Sequence, residues 1–561
     1  MSKSKENLKN NKVLGKIWLL SFISSILLSL PYIVPHVGLI SLVAFVPLFA
    51  AEQIAHDNGK KHFFFIAYVS FLIWNLITTF WVWFATPPGA VMAFILNTLQ
   101  MAVIFALFRW MRKLTNGFLP YIFFCVAWLA WEHVYCTWLV TWPWLILGNS
   151  FAMSVKSIQW YEFTGVLGGS LWILLTNMLL FRLLLLKSRG KAVIKSALSL
   201  LVLVVLPLTI SHIMYYSYNE KENPVHFGIL QPNIDPYNDK FGGLSKDEQN
   251  DILLKLSAEA ILNKKDANNF ILLAPETFFT PDSWSTKIEE SNPLKNPHLD
   301  VFAKMLNTFN VGGNNLSMIV GAVTYKEYFK GEKPTPTSTK FNSGWYDSFN
   351  TAIYLSSGSN GEVETDFYHK SKLVILAESN PFLSGPFKFM DRLVMDIAGG
   401  IGNFGTQKER SVFVVNDSCK VGTAICYESI FADYYREWVL NGANVMTIIT
   451  NDGWWKNTPG HKQHLNYARL RAIENRRSIA RSANTGISAF INQRGDVVSE
   501  TQWWKECYLN GVVNSNNELT IFTQYGDIIG RLSGFLFFLF VLMGIARFIS
   551  KKYIVKEVFE K

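Results

Sequence analysis

The chain has 561 residues and a formal net charge of +10; 50% of its residues are hydrophobic, 17% are charged, and its mean hydropathy is +0.18. That length excludes one small domain. The basic excess does not mark a nucleic-acid binder, because Lys and Arg form no stripe in the polar part of the sequence.

Composition is uneven along the chain. Residues 1–221 read as a membrane domain, 222–522 as a soluble domain with charges, turns and alternating patterns, and 523–561 as a final span with a basic tail. Apolar runs lie at about 15–33, 37–55, 62–85, 88–110, 117–140, 161–186, 192–215 and 528–549. Each is long enough to cross a roughly 30 Å hydrocarbon core as a helix. Buried core helices do not explain seven such runs in succession. The first run precedes further spans and shows no small-residue cleavage site, so it does not read as a cleavable signal.

Loop charges set the expected orientation. Lys3, Lys5, Lys9, Lys12 and Lys16 precede the first span. Lys60 and Lys61, then Arg109, Arg112 and Lys113, then Lys187, Arg189, Lys191 and Lys195 fill alternate loops, and Lys551, Lys552 and Lys556 follow the last span. The other loops are nearly bare. Both termini are therefore expected to be cytoplasmic and the soluble domain to face outward. Glu132 and His133, charged neighbours in the fifth span, read either as a functional pair or as a pair close to the interface.

Within the soluble domain, Val225–Asn233, Phe270–Glu276, Leu316–Val323 and Ser348–Ser356 read as strands, and Lys246–Leu262 as an amphipathic helix. Asp366–Val374 is a further extended segment. Ser411–Asn416 and Lys420–Cys426 read as an antiparallel pair, Val445–Asn451 as a buried strand, and His464 to about Arg481 as an Arg-rich helix. Ser488–Asn492 and Val497–Glu500 flank a turn as a hairpin. Mixed strands and helices make this an α/β or α+β layered domain.

Three apolar strands finish in reactive polar groups: Glu276, Cys426, and Asn451 with Asp452. The fourth extended segment carries Lys370. Ligands gather beyond strand carboxyl ends in open α/β sheets. A thiol becomes a good nucleophile only beside a base or a cation, and Glu276 and Lys370 are the candidates for Cys426. Cys125 and Cys136 read as packing residues in or near the fifth span. Cys419 and Cys507 leave a disulfide open. No Cys or His spacing suits a metal, so none is expected.

The segments Ala274-Pro-Glu276-Thr, Tyr368-His-Lys370-Ser-Lys-Leu-Val374 and Ile425-Cys426-Tyr-Glu428-Ser occur in that order. Asn451-Asp-Gly-Trp454-Trp and His464-x4-Arg469-x-Arg471-Ala-x-Glu474-x2-Arg477 follow. The series resembles the nitrilase (carbon–nitrogen hydrolase) superfamily, whose triad is Glu–Lys–Cys in an αββα sandwich. With spans before the domain and one after it, the chain looks like the apolipoprotein N-acyltransferase family within it. The expected fold is thus a polytopic α-helical membrane domain plus a nitrilase-like αββα sandwich.

That resemblance implies a catalytic triad of Glu276, Lys370 and Cys426. It implies supporting or substrate-binding roles for Glu378, Tyr427, Glu428, Phe241, Asn451 and Trp454. It implies transfer of an acyl chain from a membrane phospholipid, through a thioester, to the N-terminal amine of a diacylated apolipoprotein, without metal or cofactor. The location implied is the cell inner membrane, with the catalytic domain periplasmic, the lipid bilayer as surroundings, no nucleic-acid partner and a monomeric state.

Two departures stand out. The family usually continues Pro-Phe-Gly-Glu where this chain has Ile375-Leu-Ala-Glu378, and Phe241 stands where the family commonly has Trp. The apolar segment Phe387–Phe404 reads as a mobile lid or, alternatively, a core helix. A membrane-tethered nitrilase-like amidase, with water as acceptor, is the competing enzyme. A transporter or lipid-binding protein with an inactive domain is the competing reading from another class.

Overall fold

The computed structural model describes residues 2–138, 141–240, 242–264, 269–310, 315–329, 331–341, 344–358, 362–379 and 403–559. The chain forms two compact units: Met1–Phe80, Ala90–Tyr216 and Tyr525–Lys561 make one, and Trp81–Gly89 with Ser217–Gln524 make the other.

The first unit is helical. Among the described residues, six helices are long and apolar enough to cross a membrane: Asn10–Ile33, Gly38–Asp57, Pro87–Leu114, Val166–Ser188, Ile194–Ser217 and Ile528–Lys551. Two of the eight expected spans are shorter, Phe63–Thr79 and Leu119–Tyr135, each 17 residues. The run expected to reach residue 85 breaks after Thr79, and Trp81–Gly89 folds with the second unit. Leu198, Leu201, Phe535 and Phe538 expose more than half of their side chains, which suits hydrocarbon surroundings. Where the second span changes from a 3₁₀ turn to an α-helix, Asn177 satisfies the freed backbone: its Nδ2 donates to Ser41 O and its Oδ1 accepts from Phe45 N, both at 2.8 Å.

Glu132 and His133 do not form a pair. Successive helix residues diverge by about 100°, and the two side chains find different partners. Glu132 Oε1 accepts from Trp128 Nε1 (3.0 Å) and Leu147 N (2.8 Å), whereas His133 Nδ1 lies 2.6 Å from Asp527 Oδ2.

The second unit contains two sheets. The strands of the first are β1 (Pro224–Gln231), β2 (Asn269–Leu273), β3 (Ile288–Glu289), β4 (Asn315–Tyr328), β5 (Thr339–Phe341), β6 (Gly344–Ser357), β7 (Val363–His369) and β14 (Cys507–Asn514). The main order is β14-β1-β2-β4-β6-β5, with β3 on β4 and β7 on β6. The strands of the second are β8 (Val412–Asn416), β9 (Cys419–Ile425), β10 (Val445–Thr450), β11 (Ile479–Ala483), β12 (Ala489–Ile491) and β13 (Val497–Glu500), in spatial order 13-12-11-10-9-8. The central strands are parallel in both sheets, β1-β2-β4 and β9-β10-β11. They are largely buried on both faces, as strands covered on both sides are.

The sheets face each other. Ser482 Oγ on β11 donates to Leu230 O on β1 at 2.8 Å, and Tyr354 on β6 stacks on Phe413 of β8 at 5.4 Å. Helices α1 (Lys246–Leu262) and α2 (Pro297–Phe309) cover the first sheet through Leu253, Leu256, Phe302 and Leu306, which pack on Leu272 and Met318. A capping box starts α1: Glu248 N donates to Ser245 Oγ, and Glu248 Oε2 accepts from Ser245 N. Helices α3 (Ala432–Leu440) and α4 (Pro459–Asn475) belong to the second sheet's outer layer, with Trp438 fully buried. The layers are helix, sheet, sheet, helix, as expected.

Two boundaries differ from the sequence reading. Helix α4 begins at Pro459 and stops at Asn475, because Arg476 turns left-handed at φ 46°. Arg481 therefore lies in β11, not in a helix. Strand β7 ends at His369 rather than Val374, since the N–H groups of Ser371 and Lys372 turn to the Glu428 carboxylate instead of a neighbouring strand. Cys419 and Cys507, on opposite sheets, are free thiols.

Gly321 in β4 fixes where β2 leaves its sheet. Its N–H donates to Pro275 O at 3.1 Å, and a Cβ there would lie 2.5 Å from both Glu276 Cα and Thr277 N. Backbone cannot swing aside as a flexible side chain can. Gly321→Ala is therefore expected to destabilise the fold by about 1–3 kcal/mol, measured as a lower Tm in detergent; an unchanged Tm would contradict this packing.

Candidate functional site

Three strand ends supply the reactive groups. Strand β2 continues through Ala274 and Pro275 to Glu276. Strand β7 hands over directly to Lys370, whose N–H donates to Asn350 O on β6 at 2.8 Å. Strand β9 ends at Ile425, and Cys426 turns into a 3₁₀ turn at φ 52°. That left-handed conformation is unusual for a residue with a Cβ and is a form of local strain.

The ion cluster is tight and buried. Lys370 Nζ lies 2.8 Å from Glu276 Oε1 and 2.8 Å from Glu378 Oε1. Asn350 Nδ2 donates to the same two oxygens at 2.9 Å. Lys370 is 1% exposed, so partners such as these carboxylates, and not water, stabilise its ammonium. Burial acts to lower the Lys370 pKa, but Glu276, Glu378 and the Cys426 sulfur outweigh it and hold the group well above its ordinary value. Burial acts to raise Glu276, but Lys370, Asn350 and Lys240 prevail and keep it below the usual carboxylate range. Burial and the nearby Glu276 charge push the Cys426 thiol up, while Lys370 pulls it down. The resting pair is thus thiol and carboxylate, with a cation in range of both.

Glu378 reaches the cluster although the family's Pro and Gly are missing before it. Its N–H donates to Val374 O, and its Oε2 accepts from Val374 N, both at 2.8 Å. In this tight turn Leu376 takes φ 65°.

Glu428 ties the Cys426 turn to the Lys370 segment. Its Oε2 accepts from Ile425 N at 2.9 Å. Its Oε1 accepts from Ser371 N, Tyr368 Oη and Tyr434 Oη, each at 2.7 Å. Burial raises the carboxyl group, and these four donors oppose the rise. The residue holds backbone rather than facing the thiol.

Of the other sequence candidates, Tyr427 follows the thiol with its ring 4.9 Å from Phe431. Trp454 packs against Tyr237 at 5.5 Å, and Trp454 O accepts from Tyr237 Oη at 2.6 Å. Asn451 is buried, and its amide oxygen makes long contacts, 3.4 Å from Asn484 Nδ2 and 3.5 Å from Thr485 Oγ1. Phe241 and residues 387–402 of the lid candidate lie outside the described residues.

The sequence reading missed three features. Asn350 sits mid-strand in an apolar stretch and shows its role only through the pairing of β6 with β7. Lys240 is buried beside Thr277, with nothing in its segment to mark it. Asp452, His464 and Arg481 form a closed network: Asp452 Oδ1 lies 2.9 Å from His464 Nδ1, and Asp452 Oδ2 lies 2.6 Å from Arg481 Nη2. His464 Nε2 lies 3.1 Å from the Cys426 carbonyl oxygen. Among the described residues no group of His, Cys, Asp and Glu side chains is arranged to hold a metal.

Residues 24–179 match the family model described as the apolipoprotein N-acyltransferase N-terminal domain, and residues 244–516 match that of carbon-nitrogen hydrolase. The apolipoprotein N-acyltransferase of Chlorobaculum tepidum is 28% identical over 540 residues, covering 92% of this chain and 95% of that one. The chain belongs to the apolipoprotein N-acyltransferase family. The apolipoprotein N-acyltransferase of Geobacter metallireducens is 26% identical over 526 residues, covering 91% of this chain and 92% of that one. Among solved structures, Saccharomyces cerevisiae Nit3, a member of branch 10 of the nitrilase superfamily, is 15% identical with a TM-score of 0.36, covering 55% of this chain and 94% of that one. Family membership makes the protein an acyltransferase with several apolar helices, a membrane enzyme.

Asn350→Leu removes two hydrogen bonds to carboxylates, each worth about 1.5–3 kcal/mol. Acyl-transfer activity is expected to fall by about ten- to a hundredfold, with Cys426 still present by mass spectrometry. Full activity would show that Lys370 alone positions both carboxylates.

Proposed function

We propose that Cys426 carries a fatty acyl chain, as a thioester, from a membrane phospholipid to the N-terminal amine of the S-diacylglyceryl cysteine of lipoproteins. The observation that carries this reading is the Glu276–Lys370–Glu378 ion cluster in electrostatic range of a strained cysteine, in a chain of the N-acyltransferase family.

The sulfur attacks the ester carbonyl carbon while Glu276 accepts the thiol proton. Lys370, with the backbone N–H of Tyr427, stabilises the oxyanion. Collapse breaks the ester bond, and Glu276 returns the proton to the departing lysophospholipid oxygen. The lipoprotein amine then attacks the thioester and gives a proton to Glu276, which passes it to the leaving sulfur. Each half-reaction restores the starting charges. Glu378 and Asn350 position Lys370 and Glu276, and Glu428 holds the Cys426 turn.

The donor and acceptor are both lipid-anchored. Loop charges support a placement with cytoplasmic termini and the soluble unit on the outer face of the inner membrane. The remaining assignments, a role for Trp454 and Phe241 at the substrate and a monomeric enzyme, belong to the same proposal.

Mixing the full-length protein with phosphatidylethanolamine alone is expected to add one acyl mass to Cys426. Adding a diacylated lipopeptide then clears the adduct and yields the triacylated product. Cys426→Ser abolishes both steps. Loss of the adduct to water at the same rate with and without lipopeptide would favour the hydrolase instead. Because Glu276 is held below its ordinary range, it stays ionised, and competent as a base, on acidification until pH falls past that lowered value. The acid limb of adduct formation is accordingly expected below about pH 4.3, the free Glu value; a limb well above it would remove Glu276 as the base.

A further inference from the structure

The Glu276–Lys370–Glu378 cluster is not balanced: two carboxylates face one ammonium, and the thiol is neutral. A second cation lies alongside. Lys240, in the segment between β1 and α1, is 4% exposed, and its Nζ donates to Thr277 Oγ1 at 3.0 Å. Thr277 follows Glu276 directly and takes φ 46°, a strained conformation for a β-branched residue.

The backbone around Lys240 is fixed as firmly as the side chain. Its N–H donates to Asp235 O at 2.9 Å, and its carbonyl accepts from Lys246 Nζ and Gln249 Nε2, both at 3.2 Å. Gly321 leaves no room for the Glu276–Thr277 backbone to move closer to β4. The turn that carries Glu276 is thus held both by β4 and by the Lys240 ammonium.

We propose that Lys240 is a positioning residue of the acyl-transfer site: it clamps the Glu276–Thr277 turn and supplies the second positive charge that keeps Glu276 ionised beside a buried thiol. This rests on Glu276 acting as base in the reaction above. A buried ammonium is costly, and it persists where an opposite charge compensates. Glu276 contributes such a charge from electrostatic range. Burial and the Lys246 charge bring the Lys240 pKa down to about 8, Glu276 opposes the fall, and the Lys240 charge in turn lowers Glu276. The groups facing Glu276 are then Lys370, Lys240, Asn350 and the Cys426 thiol, with Glu378 across the shared ammonium and Lys246 beyond Lys240.

The test compares full-length wild type, Lys240→Met and Lys240→Arg in detergent. Two acid limbs are read by mass spectrometry: acyl-adduct formation from phosphatidylethanolamine, and alkylation of Cys426 by iodoacetamide, which needs no lipid. Methionine fills the volume without charge, and arginine restores the charge. The Met variant is expected to move both limbs up by about one pH unit, and the Arg variant to move them back toward wild type. Limbs unchanged in the Met variant, whatever its absolute rate, would overturn the proposal. If the Met protein does not fold, Lys240→Gln is read in its place against the same criterion. Absence of any acyl adduct in the wild type would count against the transfer reading, while the alkylation limb would still decide the role of Lys240.

Discussion

A buried ammonium shared by two carboxylates organises the second unit. Lys370 sits out of water, and an uncompensated charge there would cost several kcal/mol. Glu276 and Glu378 must therefore stay within hydrogen-bond distance of it, and they come from different parts of the chain. The pairing of β6 with β7 delivers Lys370 and Asn350 to the same spot. The parallel pairing of β2 with β4 delivers Glu276, and Gly321 makes the approach possible. Loosening any of these strands would leave charge buried without a partner.

The thiol is held by a different set of constraints, built from backbone rather than charge. Cys426 adopts a left-handed conformation because the chain must turn sharply at the end of β9. Glu428 satisfies backbone N–H groups on both sides of the site and so locks the Cys426 turn to the Lys370 segment. The Asp452–His464–Arg481 network approaches the same turn through the Cys426 carbonyl. The proposed acyl transfer depends on this separation of duties: in it the ion cluster changes protonation, while the turn that aims the sulfur stays fixed.

Much of this was legible in the sequence, and the reasons differ by element. The apolar strands with polar ends declared themselves because β2, β9 and β10 are buried on both faces and must stop where polar groups begin. The ion partners Glu276, Lys370 and Glu378 were named for their positions in recognisable segments. Asn350 gave no signal, since an Asn in a buried strand looks like an isolated polar exception until its cross-strand neighbour is known. Lys240 looked like an ordinary loop lysine. The end of α4 was placed too late because arginines continue past it: Arg471 belongs to the helix, Arg476 turns out of it and Arg481 lies in a strand.

Sequence alone determined the membrane character and the layered α/β class, and it named Cys426, Glu276 and Lys370 as the candidate thiol, base and cation. Those depend on hydropathy, strand periodicity and local motif, which are properties of neighbours in the chain. Tertiary structure alone decided how Lys370 is divided between two carboxylates, that Asn350 bridges them, that Glu428 holds backbone instead of facing the thiol, and that Glu132 and His133 part company. Each of these depends on which distant residues share a low-dielectric space, and strand register rather than local pattern sets that.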